Sequence, residues 1–211
     1  MEKELKLSVL DNKRKELLPL LKGFKDEFYL AGGTALALQI GHRKSDDFDF
    51  FSFEHFKIQS LQKKIYSLFD KSSLSIIQLE KDTLSIIVNG DIKISFFDIK
   101  QKILLPVSEN KWFNICNELE IGAMKIAALL RAAYRDYVDL YYLLKKYNLE
   151  EILSICEKKY TGFEKSVYLK ALLSYDDIEI TPIQYLQGKE KKPEEIFSFI
   201  EKQTNLFLSG S

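Results

Sequence analysis

The sequence predicts an α+β fold, with a mixed sheet and helices in its first half and a helical lobe in its second. Three observations carry that prediction. Short runs rich in β-branched and aromatic residues, from FYLAGG near residue 28 to DIKISFFDI near residue 95, are separated by apolar patterns of helical spacing. Asn89-Gly90 stands between two such runs, where it signals a hairpin turn. From about Asn117 onward the strand signals give way to helical periodicity, which suggests a division into residues 1–110 and 111–211.

Residues 11–24, DNKRKELLPLLKGF, read as a helix that Pro19 kinks or divides. FYLAGG reads as a strand ending in a turn, and Thr34 is positioned to cap the helix begun by TALALQI, which Gly41 and His42 would end. In SDDFDFFSF an extended chain puts Asp47, Asp49 and Phe51 on one side and Phe48 and Phe50 on the other. A helix over 58–69 precedes SLSIIQL, TLSIIVNG and DIKISFFDI, which read as a meander of two or three strands. The second half reads as one long helix over NELEIGAMKIAALLRAAYRDYVDLYYLLKKY, two further helices, and a short last helix after Pro193.

Composition narrows the function classes. The chain has 211 residues, 46% of them hydrophobic, which suits a folded protein with a substantial core. Its 31 basic and 31 acidic residues cancel, so no overall field steers it to nucleic acid or anionic lipid, and an RNA partner would need a local basic patch. Cys116 and Cys156 show neither metal-ligand spacing nor a disulfide framework, and reduced thiols are expected. No apolar run is long enough to span a membrane and the N-terminus lacks a signal-peptide pattern, so a cytoplasmic location is expected.

The chemistry concentrates in YLAGGTALALQIGHRKSDDFDFF, residues 29–51. On a strand, Asp47 and Asp49 face the same way about 7 Å apart, a spacing at which both can converge on metal ions that bridge them to phosphates. The bland alternative is an acidic surface loop. The turn Gly32-Gly33-Thr34 offers backbone N–H groups and a hydroxyl to phosphate oxygens, although a tight strand-to-helix turn explains it equally well. On a continuous helix, Asp136 and Asp139 return to within roughly 40° of the direction of Lys125. Lys125 then has a partner that orients it toward a triphosphate, whereas Arg131 points away; the alternative is a solvated charged face.

These segments carry a resemblance. GGTALAL, GHRKSDDFDF and AMKIAALLRAAYRDYVDLYYLL together resemble the AbiEii/AbiGii toxin family, nucleotidyltransferase-like proteins of the DNA-polymerase-β-type superfamily, over roughly residues 15–145. The resemblance implies a nucleotidyltransferase-like sheet, a glycine-rich turn at Gly32 and Gly33 with Thr34 where Ser is frequent, and metal-binding carboxylates at Asp47 and Asp49. It maps a GHR-x-S-x-D-x-D pattern onto Gly41, His42, Arg43, Ser45, Asp47 and Asp49, and later positions onto Lys125, Arg135, Asp136, Asp139 and Leu140. It also implies a nucleoside triphosphate substrate, Mg²⁺ or Mn²⁺ as cofactor, RNA as one class of acceptor, and a cognate antitoxin in a type IV toxin-antitoxin or abortive-infection system. One departure stands out: the position of a third carboxylate falls on Ser95. Asp98 lies on the opposite strand face and needs a bulge to serve as a metal ligand, while Asp91 is about 13 Å from Ser95 along a strand.

The expected activity is metal-dependent transfer of a nucleotide, with Asp47, Asp49, Lys125 and Asp136 as catalytic residues and Gly32, Gly33, Thr34, Arg43 and Lys125 binding the nucleotide. Asp47, Asp49 and Asp98 are the expected metal ligands. His42 is read as a capping or supporting residue, and Arg43 as a phosphate contact or a partner of Asp46 or Asp49. The alternatives are a nucleotide-binding regulatory protein, which Ser95 favours, and an interaction module using the aromatic stretch YVDLYYLL.

Overall fold

In a computed structural model that describes residues 4–99 and 101–210, the first half is built on a sheet flanked by helices. Helix α1 (Asn12–Leu21) is capped by the Asp11 side chain, contains Pro19, and passes into a 3₁₀ turn over Lys22–Phe24. Strand β1 (Phe28–Ala31) leads directly into α2 (Gly32–Ile40), after which come β2 (Phe48–Ser52) and α3 (Ile58–Leu68). Strands β3 (Leu74–Leu79), β4 (Thr83–Val88) and β5 (Ile92–Phe97) form the expected meander, and β6 (Ser108–Glu109) and β7 (Asn114–Ile115) complete the sheet. Its order is β3-β4-β5-β2-β1-β7-β6. Since β7 is hydrogen-bonded to β1, the sheet runs past the division expected at residue 110.

Register decides what each sheet face carries. β1 and β2 are antiparallel, with Leu30 opposite Phe50 and Tyr29 opposite Phe51. β2 and β5 are parallel, with Phe50 beside Phe96 and Asp49 beside Ser95. Alternation therefore gives one face Phe28, Phe48, Phe50 and Phe96, all fully buried with Phe24. The rings of Phe24, Phe28, Phe50 and Phe96 pack at 4.7–6.3 Å between centroids, and burial of each phenylalanine contributes about 1.5–3 kcal/mol. The other face carries Asp49, Phe51, Ser95 and Phe97. A one-residue slip would exchange these faces, so the phenylalanines hold the aspartates in place.

The second half comprises α4 (Glu118–Ala127), α5 (Tyr134–Leu144), α6 (Leu149–Lys159), α7 (Lys165–Leu173) and α8 (Pro193–Ser209). Two expectations are corrected. The last helix is 17 residues long rather than short, and it buries the aromatic stretch: Phe197 packs on Tyr134 and Tyr137, and Phe199 on Tyr141. Those rings belong to the core and not to an open partner surface.

The expected continuous helix around Arg131 is also interrupted. α4 ends at Ala127, a 3₁₀ turn covers Leu129–Arg131, and Ala132 adopts a left-handed conformation at φ 52° before α5 begins. No Gly or Pro marks the break, which explains why periodicity misses it. A straight helix would hold residues 125 and 136 about 16 Å apart along its axis. The break instead closes Lys125 Nζ to 2.7 Å from Asp136 Oδ1. Tertiary ion pairing thus overrides local helix propensity.

Ala132 bears the conformational cost of this reversal, because a left-handed residue with a Cβ costs about 1–2 kcal/mol. Ala132→Gly removes that strain but adds unfolded-state entropy of about 0.4–1 kcal/mol. The expected result is a small net rise in unfolding free energy, below about 1.5 kcal/mol, measurable by urea titration. A clear loss of stability would contradict the strain assigned here.

Candidate functional site

The N-terminus of α2 sits at the end of β1, with Asp49 directly across the ladder from Ala31. Gly32 has φ +69°, and a Cβ there would stand 3.0 Å from Asp49 Oδ2. A Cβ on Gly33 would come within 2.5 Å of Arg43 Nη2. The two glycines therefore admit a carboxylate and a guanidinium beside the turn, a reason for glycine that the phosphate reading did not contain. Ala31 supplies no side-chain cap, so the first N–H groups of α2 have no side-chain acceptor there.

Thr34 does not cap α2. Its buried hydroxyl donates to the Asp47 carbonyl and lies 2.7 Å from Ser45 Oγ. It straps the approach to β2 onto α2. Asp46 remains exposed; its carbonyl accepts from Arg14 Nε at 2.7 Å, so its arginine partner is Arg14 and not Arg43.

Arg43 is nearly fully buried and binds Asp139 through two donors, Nε to Oδ1 at 2.8 Å and Nη2 to Oδ2 at 2.9 Å. It lines the site, but both of those donors are taken by Asp139 rather than by Asp46, Asp49 or a phosphate. His42 Nε2 lies 2.8 Å from Asp139 Oδ1. Burial lowers the His42 pKa against the pull of Asp139, so the neutral ring donates Nε2–H to that carboxylate. His42 supports the site from beneath and does not cap α2 through its ring.

Asp139 also lies 2.7 Å from Lys125 Nζ. Burial alone would raise its pKa, but Arg43, Lys125 and the hydrogen bonds hold it well below the ordinary carboxylate value. The stability from this depressed pKa is present above about pH 4 and is lost as pH falls through the lower folded value. Asp136, also fully buried, accepts from Lys125 and, through two donors, from Arg131 at 2.7 and 2.8 Å. Arg131, expected to point away, joins the cluster because the chain reverses at Ala132.

Above this network opens a cleft of about 620 Å³. Its lining brings together Gly32, Gly33, Thr34, Arg43, Asp47, Asp49 and Lys125, so these expected residues share one wall system. Asp136 lies under it through Lys125 and Arg131. Asp98 does not line it: this residue follows β5 on the face away from Ser95, and its carboxylate accepts from His55 Nδ1. Ser95 is fully buried beside Asp49 and lies 3.1 Å from Ser85 Oγ. Residues that the motif reading passed over include Lys93, Phe51, Phe97, Met124 and Tyr160. Strand parity with Ser95 was the available signal for Lys93.

Asp49 is the electrostatically uncomfortable member. Burial and then Asp47 raise its pKa, against the opposing fields of Lys93, Lys125 and Arg131. Two repelling carboxylates with spare acceptor capacity fit a divalent cation whose shell is completed by water and substrate oxygens. Among the described residues, however, no three of His, Cys, Asp and Glu converge. Asp47 and Asp49 are the carboxylates that line the cleft, and Asp98 does not join them.

Two outcomes follow from these charges. Asp49→Asn should raise the stability of the metal-free protein by about 1 kcal/mol, or roughly 2–4 °C in melting temperature, because it removes a buried repulsion. A lower melting temperature would show that the charge is structurally satisfied. Asp139→Asn should cost about 3–5 kcal/mol in urea unfolding, since Arg43 loses its ionic partner inside the core. A loss below 1 kcal/mol would remove Asp139 from the centre of this account.

Similarity to known proteins agrees with this construction. The family described as nucleotidyl transferase AbiEii toxin, type IV TA system, matches residues 20–103. An uncharacterized protein of Aquifex aeolicus is 34% identical over 182 residues, covering 83% of this chain and 86% of its own. The crystal structure of JHP933 from Helicobacter pylori superposes with a TM-score of 0.60 at 18% identity, covering 95% of this chain and 94% of that one. A further H. pylori structure, of a nucleotidyltransferase candidate, gives a TM-score of 0.60 at 18% identity over 94% of both chains. The shared sheet and helical lobe establish the fold, and with the sequence match the chain belongs to the AbiEii family of nucleotidyltransferase toxins.

Proposed function

We propose that the chain is a metal-dependent nucleotidyltransferase that moves a nucleotide from a nucleoside triphosphate to RNA or another acceptor. The observation that carries this reading is the gathering in one cleft of an acidic pair, Asp47 and Asp49, a helix N-terminus at Gly32, and the braced ammonium of Lys125. Asp47 and Asp49 would hold Mg²⁺ or Mn²⁺, which when bound supplies Lewis-acid polarisation of the α-phosphate and lowers the pKa of an acceptor hydroxyl. The N–H groups at Gly33 and Thr34 orient phosphate oxygens. Lys125 offsets charge on the departing pyrophosphate, while Asp136 keeps the ammonium aimed. The acceptor hydroxyl gives up its proton to solvent and its oxygen forms the new P–O bond as the α–β bridge breaks and pyrophosphate leaves, and no covalent protein intermediate is needed.

A second reading, a nucleotide-binding regulatory protein, draws on the buried Ser95 where a carboxylate would complete the acidic set. One experiment separates the two. Incubation with α-labelled ATP, GTP, CTP and UTP, Mg²⁺ and an RNA pool should label RNA, and Asp47→Asn with Asp49→Asn should lower labelling at least about 100-fold. Triphosphate binding without label transfer to RNA, protein or small acceptors would favour the regulatory reading. The toxin role, with a cognate antitoxin as partner, predicts growth arrest on expression that the same double substitution relieves.

A further inference from the structure

Lys93 stands on the face of β5 that carries Ser95, and therefore on the face of the sheet that carries Asp49. Because Phe48 pairs with Ile94, Lys93 lies level with Asp47, the residue that leads into the neighbouring strand β2. Its side chain is half-buried and lines the cleft. It sits one strand step before the position where the acidic set is incomplete.

Three of the other cations lining the cleft are already committed. Arg43 makes two bonds to Asp139, Lys125 is shared by Asp136 and Asp139, and Arg131 makes two bonds to Asp136. Among the described residues Lys93 makes no ion pair within 4.0 Å, although its field acts on Asp49. Arg135 also makes none but is exposed at the rim. A lysine serving only to neutralise Asp47 and Asp49 would close onto one of them, as Lys125 closes onto its own pair. Lys93 instead lines a cavity large enough for a phosphate chain without closing onto either carboxylate.

We propose that Lys93 is a phosphate-contacting residue of this cleft, a cation built into strand β5 that binds the triphosphate of the incoming nucleotide directly. The inference rests on the nucleotidyltransferase reading and deepens it. Lys93 supplies positive charge on the strand where a third carboxylate would have supplied a metal ligand. Its contribution is therefore greatest when metal is scarce.

Calorimetric titration of ATP, GTP, CTP and UTP, and of the matching nucleosides, into wild type, Lys93→Ala and Lys93→Arg tests this in Mg²⁺ and in EDTA. Loss of one charge-assisted contact should weaken triphosphate binding about 10- to 100-fold in Lys93→Ala, most visibly in EDTA. Nucleoside binding should be unchanged, and Lys93→Arg should stay within about threefold of wild type. Lys93→Ala binding triphosphate within twofold of a wild type that binds well would overturn the role of Lys93 while leaving the nucleotide site intact. Equal losses for nucleoside and triphosphate would also overturn it, since that pattern reports a reshaped cleft. A wild type that binds none of the four triphosphates would sink the nucleotide reading itself.

Discussion

The buried carboxylate of Asp139 is the interaction on which the rest of the site depends. It receives His42 and Arg43 from the connection between α2 and β2, and Lys125 from α4, while standing on α5. Three stretches far apart in sequence meet at two oxygen atoms. A carboxylate so deeply buried would be costly unpaired, and the guanidinium and ammonium beside it would be equally costly without it. The mutual requirement makes the arrangement cooperative. Each partner is tolerable inside the protein only in the presence of the others.

That cooperativity turns a stability device into a positioning device. Lys125 is held by two carboxylates at 2.7 Å, so its ammonium has little freedom to wander from the cleft wall. Arg131 braces Asp136 from the solvent side, and Gly33 is small enough for Arg43 to pass beneath the start of α2. At the acidic pair the logic is reversed. Asp47 and Asp49 are set close together by strand geometry, with their mutual repulsion left largely in place and the phenylalanine face absorbing the mechanical load. The Lys125 cluster is neutralised internally while the acidic pair is not, an asymmetry on which the proposed function rests.

Sequence reasoning reached the alternation of β2, the β3–β5 meander and the pairing of Lys125 with Asp136. These features rest on local rules, such as strand parity and turn chemistry, or on a family pattern. Its failures share a different cause. The break at Ala132 has no local signal, because it is favoured by ion pairs formed only once α5 folds back on α4. Thr34 looked like a cap and a phosphate donor, yet its hydroxyl is consumed by Asp47 and Ser45, partners revealed only by the approach of β2. Asp98 was weighed as a ligand although parity already placed it on the wrong face, and the fold gives it to His55. Lys93 shares parity with Ser95, but its level with Asp47 needed the parallel pairing of β2 with β5.

The interleaving of the two halves has a consequence for synthesis. A chain that has left the ribosome only as far as β5 already contains both site aspartates and the glycine turn, but neither Lys125 nor the carboxylates that brace it. On the mechanism proposed above, such a fragment lacks the charge needed to steady a departing pyrophosphate. Prematurely terminated products carry an incomplete site, and the cleft is assembled only once α5 has been made and folded back.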